Sequence, residues 1–121
     1  MGGTAAVVTF GLEYEVRAGC EAAFERAAAE VLASLATQDG HRRSRLYRDV
    51  FRPASYLVYS EWASRQALAR FAGSEAFRAV TALGAELLLA PPRHRAYTPL
   101  GEGPDGEARG RGDAPPHVTA P

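Results

Sequence analysis

The chain has 121 residues, of which 46% are hydrophobic, and its 14 basic residues balance its 14 acidic residues. This length allows one domain with an ordinary core, and the zero net charge disfavours nucleic acid and anionic membranes as partners. The longest apolar run, residues 87–90, is too short to span a membrane, and no secretory signal pattern is present. The chain has a single cysteine and no His/Cys cluster. Together these observations predict a cytoplasmic protein that binds no metal.

The first part of the chain predicts a strand followed by a helix. Residues 5–17 alternate between apolar and polar side chains, which predicts a strand with Leu12 and Tyr14 on its apolar face. Apolar residues then recur at helical spacing, which predicts a helix over residues 21–36 that stops before Gly40.

Two further strands are predicted in the middle of the chain, over residues 41–51 and 56–62. The second of these carries apolar residues on both faces, with Tyr56 and Trp62 on the same face. Helices can cover only one face of a sheet in so small a domain. A second copy of the chain is therefore expected to cover the other face, which predicts a homodimer.

The last part of the domain predicts two helices and a final strand. Ser64 is a candidate N-cap for a short helix, Gly73 marks a joint, and Ser74 is a candidate N-cap for a longer helix that reaches Leu88. Residues 93–98 then predict a strand at the sheet edge. The resulting order, βαββαβ with the second helical unit divided, predicts an α+β domain of the ferredoxin-like type with a four-stranded antiparallel sheet.

Residues 101–121 differ in composition from the rest of the chain. They are mostly Gly, Pro, Ala and charged residues with almost nothing to bury. Ordering such a segment costs more conformational entropy than its packing can return. We therefore expect one folded domain over residues 1–100 and a disordered tail over residues 101–121.

The order and spacing of several short segments resemble those of the antibiotic biosynthesis monooxygenase (ABM) domain family, within the dimeric α+β barrel superfamily. The resemblance covers residues 5–99. The segments that carry it are Arg17-Ala18-Gly19, Phe24, Gly40, Ser44 to Asp49, Ser60-Glu61-Trp62, Phe71, Ser74 to Phe77, and Pro91-Pro92-Arg93 followed by Tyr97.

The resemblance implies a monooxygenase that needs no cofactor and acts on an aromatic, polyketide-like small molecule. In such chemistry the substrate itself reduces dioxygen, while the protein excludes water, holds the ring against aromatic walls and stabilises negative charge. The residues implied for catalysis are Trp62, Tyr47 and Arg45, and those implied for substrate binding are Tyr14, Tyr56, Phe71 and Leu12. Haem-degrading relatives use an Asn, a Trp and a His where this chain has Leu12, Phe71 and Thr81, so no haem is expected.

Other interpretations remain open at the level of sequence. Trp62 is also typical of core packing or of a dimer interface. His41 follows a turn and precedes two arginines, which favours a solvated side chain over a general base. The whole chain is also compatible with a non-catalytic homodimeric accessory or ligand-binding module, or with a cofactor-free isomerase or cyclase on the same fold. A polar group buried beside Trp62 would favour catalysis, whereas a pocket filled by side chains would favour the accessory module.

Overall fold

The structure, a computed structural model, describes residues 6–104 of the chain. Most of the predicted tail, residues 105–121, lies outside these described residues. The observed order of elements confirms the predicted βαββαβ pattern with a divided second helical unit. The elements are β1 (Val8–Glu15), α1 (Glu21–Ala36), β2 (His41–Arg48), β3 (Ser55–Trp62), α2 (Arg65–Ala72), α3 (Glu75–Ala82) and β4 (Arg93–Tyr97).

The four strands form one antiparallel sheet in the order β2-β3-β1-β4, which confirms the predicted α+β fold. Register between the two central strands places Val8 opposite Trp62 and Tyr14 opposite Tyr56. On the other side of β3, His41 lies opposite Trp62. Trp62, at one end of β3, is therefore flanked by Val8 and His41, whereas Tyr56, near the other end, has Tyr14 as its neighbour on β1.

Within residues 6–104, the sheet has a helix side, covered by α1, α2 and α3, and an open side that no helix covers. Side chains alternate between the two sides along each strand. Even-numbered residues of β1 and β3 point to the helix side and are buried, so the hydrophobic core lies between sheet and helices. The core residues are Val8, Phe10, Leu12, Tyr14, Val16, Phe24, Ala28, Val31, Leu35, Tyr56, Val58, Trp62, Ala67, Leu68, Phe71, Val80 and Leu88.

The helix starts follow the expected capping chemistry. Helix α1 has the predicted bounds. The Ser64 hydroxyl accepts a hydrogen bond from the Ala67 backbone N–H over 3.0 Å, and the Ser74 hydroxyl accepts one from the Phe77 N–H over 3.3 Å. Each cap satisfies one of the backbone donors that a helix leaves free at its start. Both predicted N-caps are thus confirmed.

The turn between α1 and β2 packs closely against α2. Gly40 has a φ of +85°, a conformation that favours glycine. A Cβ atom built on Gly40 would overlap the Cβ of Ala67. Glycine is therefore needed at this position both for its backbone conformation and for the close approach of α2.

Strand β2 is shorter than predicted, because it ends at Arg48 rather than at residue 51. The carboxylate of Asp49 accepts hydrogen bonds from the backbone N–H groups of Phe51 and Arg52, over 2.8 and 3.1 Å. Such a local turn replaces the strand ladder. Val50 and Phe51, whose apolar character suggested strand, are exposed.

The helix predicted to continue to Leu88 is also shorter, because α3 ends at Ala82. Leu83 has an extended backbone, and Gly84 has a φ of +71°, which cannot continue a right-handed helix. A separate 3₁₀ turn, Ala85–Leu87, then leads the chain back toward the sheet.

Candidate functional site

Trp62 and Ser60 form a buried polar pair at one end of β3. Trp62 is fully buried, and its indole Nε1–H donates a hydrogen bond to the Ser60 hydroxyl over 2.9 Å. Ser60 is 1% exposed and donates to the backbone carbonyl of Phe10 over 3.4 Å, a long hydrogen bond. The two residues share a face of the strand because they are two positions apart. We call them the Trp62–Ser60 pair.

Aromatic rings cover the Trp62 indole. Phe71 of α2 stacks on it, with ring centroids 4.8 Å apart and an interplanar angle of 20°. His41 meets it edge-on at 5.5 Å and 82°. Phe77 of α3 packs against the Phe71 ring at 5.4 Å and 85°. Phe71 therefore occupies the position in which a flat substrate ring would stack on the indole.

His41 is more enclosed than the sequence suggested. Its ring is partly buried, and its Nε2 atom is buried without a hydrogen-bond partner in residues 6–104. Burial lowers the pKa of the imidazole below its ordinary value, so the ring is neutral at neutral pH. A neutral imidazole has one nitrogen that can accept a proton. His41 is thus less solvated than the sequence led us to expect.

A groove of about 460 Å³ opens beside this cluster, between α2 and the strands β1 and β4, of which β4 is the edge strand. Val8 in the groove is the cross-strand neighbour of Trp62, and Leu68 lies one helical turn before Phe71. One layer of side chains thus separates the groove from the indole. We call it the α2–β4 groove; its lining residues are Val8, Arg65, Leu68, Ala69, Ala96, Tyr97 and Thr98.

Tyr14 and Tyr56 belong to a different cluster at the opposite end of the helix side. Six strand residues, or roughly 20 Å, separate Tyr56 from Trp62. The Phe24 ring lies between the two tyrosines, 4.9 Å from Tyr14 and 4.7 Å from Tyr56. The buried Tyr14 hydroxyl has no hydrogen-bond partner in the described part of the chain, and burial raises its pKa to about 12. The Tyr56 hydroxyl donates to Glu25 over 2.7 Å.

Arg45 and Tyr47 lie on the open side of the sheet, away from Trp62. Tyr47 is 44% exposed, and its ring is 6.3 Å from that of Tyr59. The Tyr59 hydroxyl donates to Glu61 over 2.5 Å, and this hydrogen bond is the main reason that the pKa of Glu61 is lowered. Neither Arg45 nor Tyr47 can reach a substrate that stacks on Trp62 from the helix side.

Of the predicted site residues, only Trp62 and Phe71 are in contact at this site. Leu12 is buried at the middle of β1, and the other four residues lie at the far end of the helix side or on the open side. Ser60 and His41 complete the cluster, and the sequence-based site did not include them. Strand alternation was an available signal for Ser60. The place of His41 depends on strand register and on a bulge in β2, for which the sequence has no local signal.

No group of three or more His, Cys, Asp or Glu side chains within residues 6–104 is arranged to hold a metal ion. Over the same residues, every helix is too short or too polar to cross a membrane. Cys20, at the start of α1, is a free cysteine whose side chain makes no capping hydrogen bond.

One family model matches the chain. The model of the antibiotic biosynthesis monooxygenase family matches residues 8–83. The solved structure of SnoaB, a cofactor-independent oxygenase from Streptomyces nogalater, is 27% identical, with a TM-score of 0.71 over 84% of this chain and 100% of SnoaB.

More distant structures share the fold. Rv0793 from Mycobacterium tuberculosis is 22% identical, with a TM-score of 0.68 over 82% of this chain and 100% of that protein. A conserved protein from Methanosarcina mazei Go1 is 15% identical, with a TM-score of 0.67 over 76% of this chain and 91% of that protein. The comparison with curated proteins found no match. The family match over residues 8–83 establishes that the chain belongs to the antibiotic biosynthesis monooxygenase family.

Proposed function

We propose that the chain is a cofactor-independent monooxygenase that oxidises an aromatic, polyketide-like small molecule with dioxygen. Membership of the family and the 27% identity with SnoaB support this class of reaction. The observation that carries the proposal to a particular site is the Trp62–Ser60 pair, a polar pair buried among aromatic rings beside an open groove. Pockets with a few placed polar groups among apolar walls are typical of small-molecule sites.

The proposed reaction balances with dioxygen as the only co-reactant. An anthrone loses the two hydrogens of its CH₂ carbon, this carbon gains one oxygen atom as a carbonyl, and the second oxygen atom leaves as water. The reaction begins when the substrate loses a proton and becomes electron-rich. For a ring that displaces Phe71, His41 is the proposed proton acceptor. Its ring packs against the Trp62 indole, and its Nε2, which has no hydrogen-bond partner in residues 6–104, can take the proton and return it as water forms.

A substrate ring needs access to the Trp62 indole, which Phe71 now covers. The ring can displace Phe71, or it can pack on Val8 and Leu68 in the α2–β4 groove. The Phe71–Trp62 stacking is worth about 0.5 to 1.5 kcal/mol beyond burial. Stacking by the substrate would replace this contribution. Because Phe71 is itself buried, the burial of the substrate ring would also have to offset the loss of about 1.5 to 3 kcal/mol of Phe71 burial.

A second candidate function is that of a non-catalytic ligand-binding or accessory module. The observation that favours it is the complete cover of Trp62 by side chains, with no exposed surface left on the indole. In this case Trp62 and Phe71 serve packing alone. The two candidates differ in whether changes at Trp62 affect turnover beyond their effect on stability.

The proposal includes a homodimer in the cytoplasm, with the open sides of two sheets in contact. Leu57 is a partly buried apolar residue on this side, and Tyr47 and Tyr97 are large exposed ones. Ion pairs such as Arg43–Glu61 and Arg93–Glu13 lie on the same side. The open side is therefore more polar than β3 alone suggested, and such paired charges can fix the orientation of two copies.

Oxygen uptake by the purified chain tests the proposed reaction. With an anthrone or a hydroxynaphthalene, the wild-type chain is expected to consume dioxygen faster than buffer and to form a quinone. Trp62→Ala is expected to lose most of this activity, and Trp62→Phe to keep part of it, because a flat ring still orients the substrate. Phe24→Leu is the matched control, since it changes a buried aromatic residue in the distant cluster.

The result that would favour the accessory module is equally specific. It is an absence of uptake above buffer with every phenolic substrate, together with Trp62→Ala acting only by unfolding the chain or dissociating the dimer. A loss of activity in Phe24→Leu equal to that in Trp62→Ala would point to general destabilisation instead.

A further inference from the structure

The α2–β4 groove has an uneven distribution of charge. Of its lining residues, Arg65 is the only charged one, and the others are apolar or carry a hydroxyl group. Arg65 makes no ion pair with any of residues 6–104. Arg70, near the other end of the same helix, lies outside the groove.

The position of Arg65 in α2 adds to this asymmetry. Arg65 is the first residue of the helix, and no acidic residue is present in the first turn to balance it. A cation at a helix N-terminus is unfavourable, because the free backbone N–H groups already carry positive partial charge there. An anion placed at Arg65 would relieve this repulsion, and a neutral ligand would not.

The geometry points to a binding site for an aromatic anion in the α2–β4 groove, with the acidic group on Arg65 and the ring on Val8, Leu68 and Ala96. Ala69 and Ala96 are small side chains, and they leave room for a ring above the sheet. The guanidinium group can bind a carboxylate through two parallel hydrogen bonds. The inference rests on the proposed function in one respect: it takes this ligand to be the substrate, which is then an acid-bearing aromatic.

The groove also fits a small ligand by size and by place. Its volume of about 460 Å³ lies within the range of small-molecule sites. Val8 adjoins Trp62 in the sheet, so a ring on Val8 lies beside the proposed reaction site. The acidic group would remain at the rim, where Arg65 is exposed to solvent.

Calorimetric titration with naphthalene-2-carboxylate and with the neutral naphthalene-2-carboxamide tests the inference. The two probes share a ring and differ in charge. The wild-type chain is expected to bind the carboxylate about fivefold more tightly than the amide. Arg65→Gln is expected to remove this preference and leave amide binding unchanged, while the matched control Arg70→Gln keeps it. Ala96→Leu, which fills the groove, is expected to weaken both probes without lowering the melting temperature.

Several outcomes would overturn the inference. They are equal binding of both probes by the wild-type chain, a carboxylate preference that survives Arg65→Gln, undiminished binding by Ala96→Leu, or no binding of either probe. Because the titration needs no turnover, it is independent of the oxygenase. Preference for the carboxylate without oxygen uptake would contradict only the proposed function, and uptake without the preference would contradict only this inference.

Discussion

The hydrogen bond between Trp62 and Ser60 is a measurable contribution to stability. Ser60→Ala removes the acceptor and leaves a fully buried indole N–H without a partner, which costs about 1 to 3 kcal/mol of unfolding free energy. Trp62→Phe removes the donor together with part of a buried ring, and we expect a cost of about 1 to 3 kcal/mol. Once Phe is present at position 62, Ser60→Ala has no N–H to leave unpaired. The double variant is therefore expected to cost less than the two single variants together, by about 1 kcal/mol or more.

Urea unfolding followed by circular dichroism measures this coupling, since Trp62 is the only tryptophan and its fluorescence is lost in the Phe variants. Ser44→Ala is the matched control, because Ser44 lies opposite Ser60 on β2 and makes no side-chain hydrogen bond within residues 6–104. It should show no coupling to Trp62→Phe. Additivity of Ser60→Ala and Trp62→Phe within about 0.5 kcal/mol would refute the reasoning.

Three further predictions concern pH, assembly and the tail. Burial lowers the pKa of His41 in the folded chain, so as the pH falls below 6.5 the His41 imidazole binds a proton more readily in the unfolded chain, which lowers the stability of the fold. The wild-type melting temperature should therefore fall more between pH 7 and 5 than that of His41→Gln. Equal falls in the two proteins would contradict this prediction. Sedimentation equilibrium at micromolar concentration should give the mass of a dimer for the wild-type chain and the mass of a monomer for Leu57→Arg, which places a charge on the open side. A monomeric wild-type chain would contradict the proposed dimer. Deleting residues 101–121 should change the melting temperature by less than about 1 °C, and a fall of several degrees would mean that the segment packs on the domain.

The fold was largely predictable because its signals are local. Alternation defined β1, a short run with apolar residues on both faces defined β3, helical spacing defined α1, and two serines defined the starts of α2 and α3. The errors arose where a local hydrogen bond or a backbone conformation outweighed apolar character. The Asp49 carboxylate ended β2 before Val50 and Phe51, and Gly84 ended the helical path before Leu88.

The candidate site was less predictable, because it depends on strand pairing. Alternation correctly placed Tyr56 and Trp62 on one face of β3, but six residues, or roughly 20 Å of strand, separate them. The position of Tyr14 beside Tyr56, at the opposite end from Trp62, depends on the antiparallel register of β1 and β3. The pairing of β2 with β3 places Arg45 opposite Tyr59, on the open side. Side-chain face is a property of one strand, whereas proximity is a property of several strands together.

Under the proposed function, this chain transfers one oxygen atom from dioxygen to an aromatic ring system without a cofactor. Oxidation of an anthrone under ¹⁸O₂ by the chelator-treated chain, followed by mass spectrometry, tests it most directly. We expect a quinone with one labelled oxygen at the new carbonyl, formed faster than in buffer or with Trp62→Ala. A rate equal to that of buffer, or a rate that depends on added flavin or metal, would contradict the claim.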